Sequence, residues 1–181
     1  MKEKTGIFRI GAGLCLLLAL CLSLDANAQL FGKEEEDSTE KKEWKVELPP
    51  FPEEANLLSF YVSPIQTQKF EIDETSLVIG TNEIRYTLVA TSPSGVKNIT
   101  YEGLQCDGGN FRRYAFGRHD NTWSMSRRDE WRPIHFLDAN RPQASLALNF
   151  FCKGKSSAGP VKDMLFRIRY NRSLQDETWG R

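Results

Sequence analysis

Between Phe111 and Arg132 the chain carries Arg112, Arg113, Arg118, Arg127, Arg128 and Arg132, interleaved with Tyr114, Phe116, Trp123 and Trp131. Only Asp120, Asp129 and Glu130 oppose them within that stretch. A guanidinium forks onto carboxylates and phosphates and stacks on rings, so arginines among aromatics suit anionic or planar partners. Arg112, Arg113, Tyr114, Arg118, Trp123, Arg127, Arg128 and Trp131 are therefore the candidate binding residues. The plainer reading is that the aromatics form core and the arginines decorate strand faces, meeting acidic residues elsewhere. Arginines that pair with Glu102, Asp129 or Glu130 would be structural.

Acid–base chemistry has a weaker basis. The chain holds two histidines, His119 and His135. His119 and Asp120 lie together in a Gly/Asn turn, where such a pair could serve a small envelope hydrolase; an exposed turn histidine is the alternative. His135, between Ile134 and Phe136, reads as a half-buried strand residue. There is no G-x-S-x-G elbow, no H-x-x-x-H, no C-x-x-C and no phosphate-cradling glycine fingerprint. No cofactor or metal is expected. Glu71, Asp73 and Glu74 lack calcium-loop spacing and read as a solvated hairpin end. Asn98-Ile99-Thr100 and Asn171-Arg172-Ser173 match the glycosylation pattern, a three-residue motif that often arises by chance.

The N-terminus indicates the compartment. Lys2, Lys4 and Arg9 precede an apolar run from Leu14 to Leu24 that ends at Ala26-Asn27-Ala28, the layout of a secretory signal peptide. The run is short for a membrane span. Cleavage after Ala28 would leave a chain from Gln29 with no transmembrane segment, placed in the periplasm or cell envelope. Little nucleic acid reaches that compartment, so an envelope protein or an anionic envelope component is the expected partner. Leu14 and Leu20 precede Cys15 and Cys21, unlike a lipid-anchoring site. Cys106 and Cys152 remain, and a lone pair in an exported protein points to a disulfide.

The elements that must position these residues follow from periodicity and turn chemistry. Charged residues from Leu30 to Glu47, including Glu34-Glu35-Glu36-Asp37, read as a disordered acidic leader. Leu48-Pro49-Pro50-Phe51-Pro52 reads as an extended entry segment, with a ligand for a proline-recognising groove as the alternative. A single domain is expected over residues 56–170, followed by a polar tail over 171–181. Leu58–Val62, Lys69–Ile72, Ser76–Ile79, Ile84–Thr91, Val96–Cys106, Phe111–Phe116, Thr122–Met125 and Glu130–Phe136 are strand candidates. Gly103 is read as a bulge that flips the facing of Leu104 and Cys106 relative to Ile99 and Tyr101. Asp73-Glu74-Thr75, Ser92-Pro93-Ser94-Gly95 and Asp107-Gly108-Gly109-Asn110 read as turns. Pro142–Lys153 is read as a helix ended by Gly154, with an alternating strand as the alternative. Gly159-Pro160 opens a last helix to Tyr170, with Val161, Met164, Leu165 and Ile168 as its apolar stripe.

Strands followed by helices give an α+β fold: an antiparallel meander covered on one side by two C-terminal helices, with one disulfide. Phe70-Glu71-Ile72-Asp73, Ser76–Gly80, Arg85–Ala90, Tyr101–Cys106, Trp123, Trp131 and Phe151-Cys152 resemble the cryptic neisserial protein one-like family of exported proteobacterial proteins. The resemblance covers about Trp44 to Phe166. It implies a bacterial envelope location and brings no catalytic residues. The expected function is a non-enzymatic envelope binding or structural protein.

Overall fold

The structure, a computed structural model, describes residues 46–135 and 139–179. The expected signal segment, most of the acidic leader and Phe136 lie outside the described residues.

Seven strands form the main sheet: β1 (Leu57–Phe60), β2 (Lys69–Ile79), β3 (Ile84–Thr91), β4 (Lys97–Gln105), β5 (Asn110–Gly117), β6 (Trp123–Met125) and β7 (Arg132–Pro133). β1 to β6 lie in chain order, each antiparallel to the last, and β7 returns to β5. The expected meander is thus the observed one. Its turns use the residues that allow it. Gly95 (φ 85°) closes the β3–β4 hairpin, while Gly108 (φ 90°) and Gly109 (φ 59°) close β4–β5.

β2 is one strand where two had been expected. The expected Asp73-Glu74-Thr75 turn is the start of a bulge: Asp73 still pairs with Thr87, and the register with β3 shifts between Asp73 and Val78. Side chains replace the lost ladder bonds. The Asp73 carboxylate accepts from Thr75 N and Oγ1 at 3.1 and 2.8 Å. Ser76 Oγ donates to Asp73 O and accepts from Thr87 N, both at 2.8 Å. Glu71 and Asp73 are consequently buried, and the expected solvated hairpin end is not observed. Glu71 accepts from Ser59 Oγ and pairs with Lys69.

The chain then forms α1 (Arg141–Leu146), which widens into a π turn over Ala147–Phe151 so that consecutive Phe150 and Phe151 are both buried. The helix expected to end at Gly154 ends earlier. Cys152–Lys153 (β8) pairs with Ser156–Ser157 (β9), and Gly154 (φ 63°) turns that small hairpin. α2 (Val161–Arg169) lies on β1 and β2, with Met164 and Ile168 buried. The expected polar tail contains a further short helix, α3 (Leu174–Trp179), held by Ser173 N donating to Asp176 and by buried Leu174. Cys106 and Cys152 form a disulfide with Cα atoms 5.5 Å apart, joining the end of β4 to the end of the helical segment. No helix among the described residues is long and apolar enough to cross a membrane.

Both faces of the sheet are covered. On the helical face Ile72, Ile84, Tyr86, Leu88 and Leu104 meet Leu146, Phe151, Met164 and Ile168. On the back face Tyr101, Tyr114 and Ala115 pack with Val46, Leu48 and Trp123. Trp123 Nε1 donates to Pro49 O at 2.9 Å, and its ring lies 5.3 Å from that of Phe51. The proline-rich segment is therefore a strap across the back of the sheet.

Candidate functional site

β5 carries the candidate residues, and a bulge decides where they point. Tyr101 faces Ala115 across the β4–β5 ladder and Glu102 faces Arg113, which leaves Tyr114 as the extra residue on β5. The bulge expected at Gly103 sits instead at Tyr114, and β4 pairs with β3 without interruption. The facing of Ile99 and Tyr101 against Leu104 and Cys106 is ordinary alternation over two covered faces. Gly103 answers a different need. A Cβ there would lie 2.6 Å from Glu83 Oε2 and 2.9 Å from Tyr114 Cε2, because the Tyr114 hydroxyl reaches across it to donate to Glu83.

Arg112 and Tyr114 take the back of the strand. The Arg112 guanidinium lies 4.5 Å from the Tyr114 ring and 5.3 Å from the Trp131 ring, and its Nη2 donates to Asp129 at 2.8 Å. Tyr114 and Trp123 are core of that face. Burial and then the bond to Glu83 push the Tyr114 hydroxyl above its ordinary pKa. Arg118 is exposed in the β5–β6 turn and donates to Ser124 at 3.1 Å. Four of the candidates, Arg112, Tyr114, Trp123 and Trp131, thus pack among themselves or with the strap.

Phe111, Arg113 and Phe116 line the other face. β6 covers Ala115–Gly117 and β7 covers Asn110–Phe111, while residues 126–131 bow away between them. The bow is tied at Ser126 N to Tyr114 O and, beyond β7, at Ile134 N to Gly109 O, both at 2.8 Å. It leaves a cleft of about 450 Å³ with Phe111, Phe116 and Met125 as apolar lining, and Arg113, Arg127, Arg128 and Arg132 around them. Glu130 is the one carboxylate lining it among the described residues. Arg127, Arg128 and Arg132 are exposed and make no ion pair among the described residues. Met125 and Phe116 are 57% and 41% exposed. Of the candidates, Arg113, Arg127 and Arg128 are brought together here, alongside Arg132, Phe116 and Met125; Arg112 borders the same cleft, with its guanidinium held by Asp129.

Arg113 has a partner. Its Nε donates to Glu102 Oε1 at 3.0 Å, and Glu102 has no solvent exposure. Thr100 Oγ1 donates to the same oxygen at 3.0 Å, while Gln143 Nε2 and the Tyr86 hydroxyl donate to Oε2 at 2.8 and 3.2 Å. Four donors saturate the carboxylate. Beside this network a second cavity, of about 390 Å³, opens between the β1–β2 loop, the start of α1 and the exposed end of the sheet. Sequence reasoning missed it, although Glu102, the only carboxylate of β4, and the paired amides Gln66 and Gln68 were visible signals.

The histidines stand apart from both cavities. His119 is exposed in the turn, and the Asp120 carboxylate accepts from Thr122 N and Oγ1 at 3.1 and 2.6 Å. Those bonds hold the Asp120 pKa below the ordinary carboxylate value. His135 is exposed beyond β7 rather than half-buried in a strand. Among the described residues no group of three His, Cys, Asp or Glu side chains is placed to hold a metal ion.

Comparison with curated proteins and with solved structures gave no match. The family model of the CNP1-like family matches residues 36–169, a span that holds the meander, the strap, both cavities and the disulfide. By that match the chain belongs to the CNP1-like family.

Proposed function

We propose that this protein is a non-enzymatic binding protein of the cell envelope, and that the cleft between β5 and residues 126–131 takes an anionic group. One observation carries the reading. Arg127, Arg128 and Arg132 surround a concave, partly apolar surface, make no ion pair among the described residues, and outnumber Glu130, the carboxylate that shares the lining. Unpaired arginines cost little when exposed, but their convergence over Phe116 and Met125 suits a ligand that has both charge and an apolar face. The disulfide accords with an exported location.

The test is a low-salt NMR titration with inorganic pyrophosphate. Shifts should concentrate at residues 125–132, weaken with added salt, and vanish in an Arg127→Ser/Arg128→Ser variant whose melting temperature is unchanged. Shifts scattered over the surface, or unaltered in the variant, would remove the reading.

A further inference from the structure

The arginine cleft and the neighbouring cavity share Arg113 and Phe116. They are two compartments of one trough on the helical face of the sheet, beyond the part the helices cover. We propose that this trough is a bipartite site for an acidic oligosaccharide. Acidic substituents would lie against the arginines and neutral hydroxyls in the second compartment. The proposal rests on the arginine cleft being an anion site.

The second compartment is built from the sheet itself. Two cross-strand rows make its floor: Phe70, Ala90 and Asn98 across β2–β4, and Leu88, Thr100 and Phe116 across β3–β5. Gln66 and Gln68 of the β1–β2 loop line it opposite, and Gln143 closes its inner end. Arg113 and Arg141 line it as well, and Gln66, Gln68, Asn98 and Gln143 add the amides that the cleft lacks. Gln66, Gln68 and Asn98 make no side-chain hydrogen bond among the described residues. An amide presents a donor and an acceptor side by side, which matches adjacent hydroxyls of a sugar. The 41% exposed ring of Phe116 offers an apolar face at the junction of the compartments. Glu102, the one carboxylate lining it among the described residues, has its charge met by Arg113 and its oxygens occupied by four donors. Gln143 turns its amide nitrogen to Glu102, which leaves its buried Oε1 without a donor among the described residues.

The shape argues against other anions. An acidic peptide that added as a strand would need an open sheet edge, whereas this trough is floored by side chains on a face. A single phosphate would occupy only part of the arginine compartment, of about 450 Å³, and leave the amides unused. A chain that alternates hydroxyls with acids uses both.

Calorimetric titration at low salt should use tetrasaccharides of galacturonic, mannuronic and guluronic acid, with neutral galactotetraose beside them. The variants are Gln68→Ala/Asn98→Ala, both exposed positions, and Arg127→Ser/Arg128→Ser. At least one acidic tetrasaccharide should bind, more tightly than the neutral one, and each double variant should weaken it tenfold or more. If no acidic tetrasaccharide binds the native protein, the inference is overturned, and the pyrophosphate titration decides the arginine cleft separately. The inference also fails, with the cleft intact, if the amide variant stays within twofold of native while the arginine variant loses binding. If the arginine variant changes neither tetrasaccharide nor pyrophosphate binding, both readings fall.

Discussion

Arg113 donates from Nε to Glu102 Oε1 at 3.0 Å, so the arginine nearest the junction of the two cavities is a structural counter-ion to a carboxylate with no solvent exposure. Removing it strands a buried charge, and breaking such a pair costs about 3 kcal/mol. Arg113→Ser should lower the unfolding free energy by about that much in urea titrations. Arg127→Ser and Arg128→Ser should each stay within about 0.5 kcal/mol of native. Equal effects at the three positions would contradict the division of the arginines drawn from the structure.

Cys106→Ser and Cys152→Ser should destabilise alike. The bond closes a sequence separation of 46 residues, for which chain entropy gives about 4 kcal/mol. Native protein in reductant should match either variant by denaturant melt. A variant that differs from the reduced native protein by more than about 1 kcal/mol would mean that packing of the cysteines matters more than loop closure.

Gly103→Ala should cost about 2 kcal/mol, since its new methyl meets Glu83 and the Tyr114 ring at 2.6 and 2.9 Å. Adding Tyr114→Ala should fail to sum with it, because one substitution clears room for the other. Strictly additive melting data would show that the ring is not the obstruction.

Burial, then the Glu102 carboxylate, holds the Tyr86 hydroxyl well above the ordinary tyrosine value of 10.0. Tyr101 shifts the same way through burial, and Tyr114 through burial and Glu83. The unfolded chain therefore releases protons near pH 10 that the native chain keeps. This share of stability is whole below pH 10 and falls as pH rises above it, by up to about 1.4 kcal/mol per pH unit for Tyr86. Tyr86→Phe should remove that part of the slope. Parallel pH–stability curves for native and variant above pH 10 would disprove it.

Short-range chemistry was legible in the sequence. The glycine-containing turns set the meander, the disulfide followed from a lone cysteine pair behind an expected export signal, and the apolar stripe of α2 followed from spacing. Errors arose where a side chain stood in for backbone. Asp73-Glu74-Thr75 has turn composition, yet Ser76 and Thr75 hydroxyls carry the chain straight through it. Gly103 drew the bulge to itself because a glycine in a strand has two readings, a bulge or a close neighbour, and only the fold brings Tyr114 over it. The candidate segment held the cleft, but not its division into paired and unpaired arginines. Arg112 and Arg113 are adjacent in sequence and serve opposite faces, and their partners Asp129 and Glu102 lie 17 and 11 residues away. Trp123 and Tyr114 looked like binding aromatics because nothing local announces that residues 46–51 will cover them.

The strap also bears on the order in which the molecule can be completed. Pro49 is synthesised 74 residues before the Trp123 indole that holds it, so Val46 to Pro52 must wait while β1 to β5 assemble. A waiting apolar segment with free amides would be drawn to any open strand edge. Pro49, Pro50 and Pro52 have no amide hydrogen to offer, so the segment can stay extended and unpaired until its face exists. The same prolines that hold the strap extended in the fold therefore also deny it a ladder to join before the fold exists.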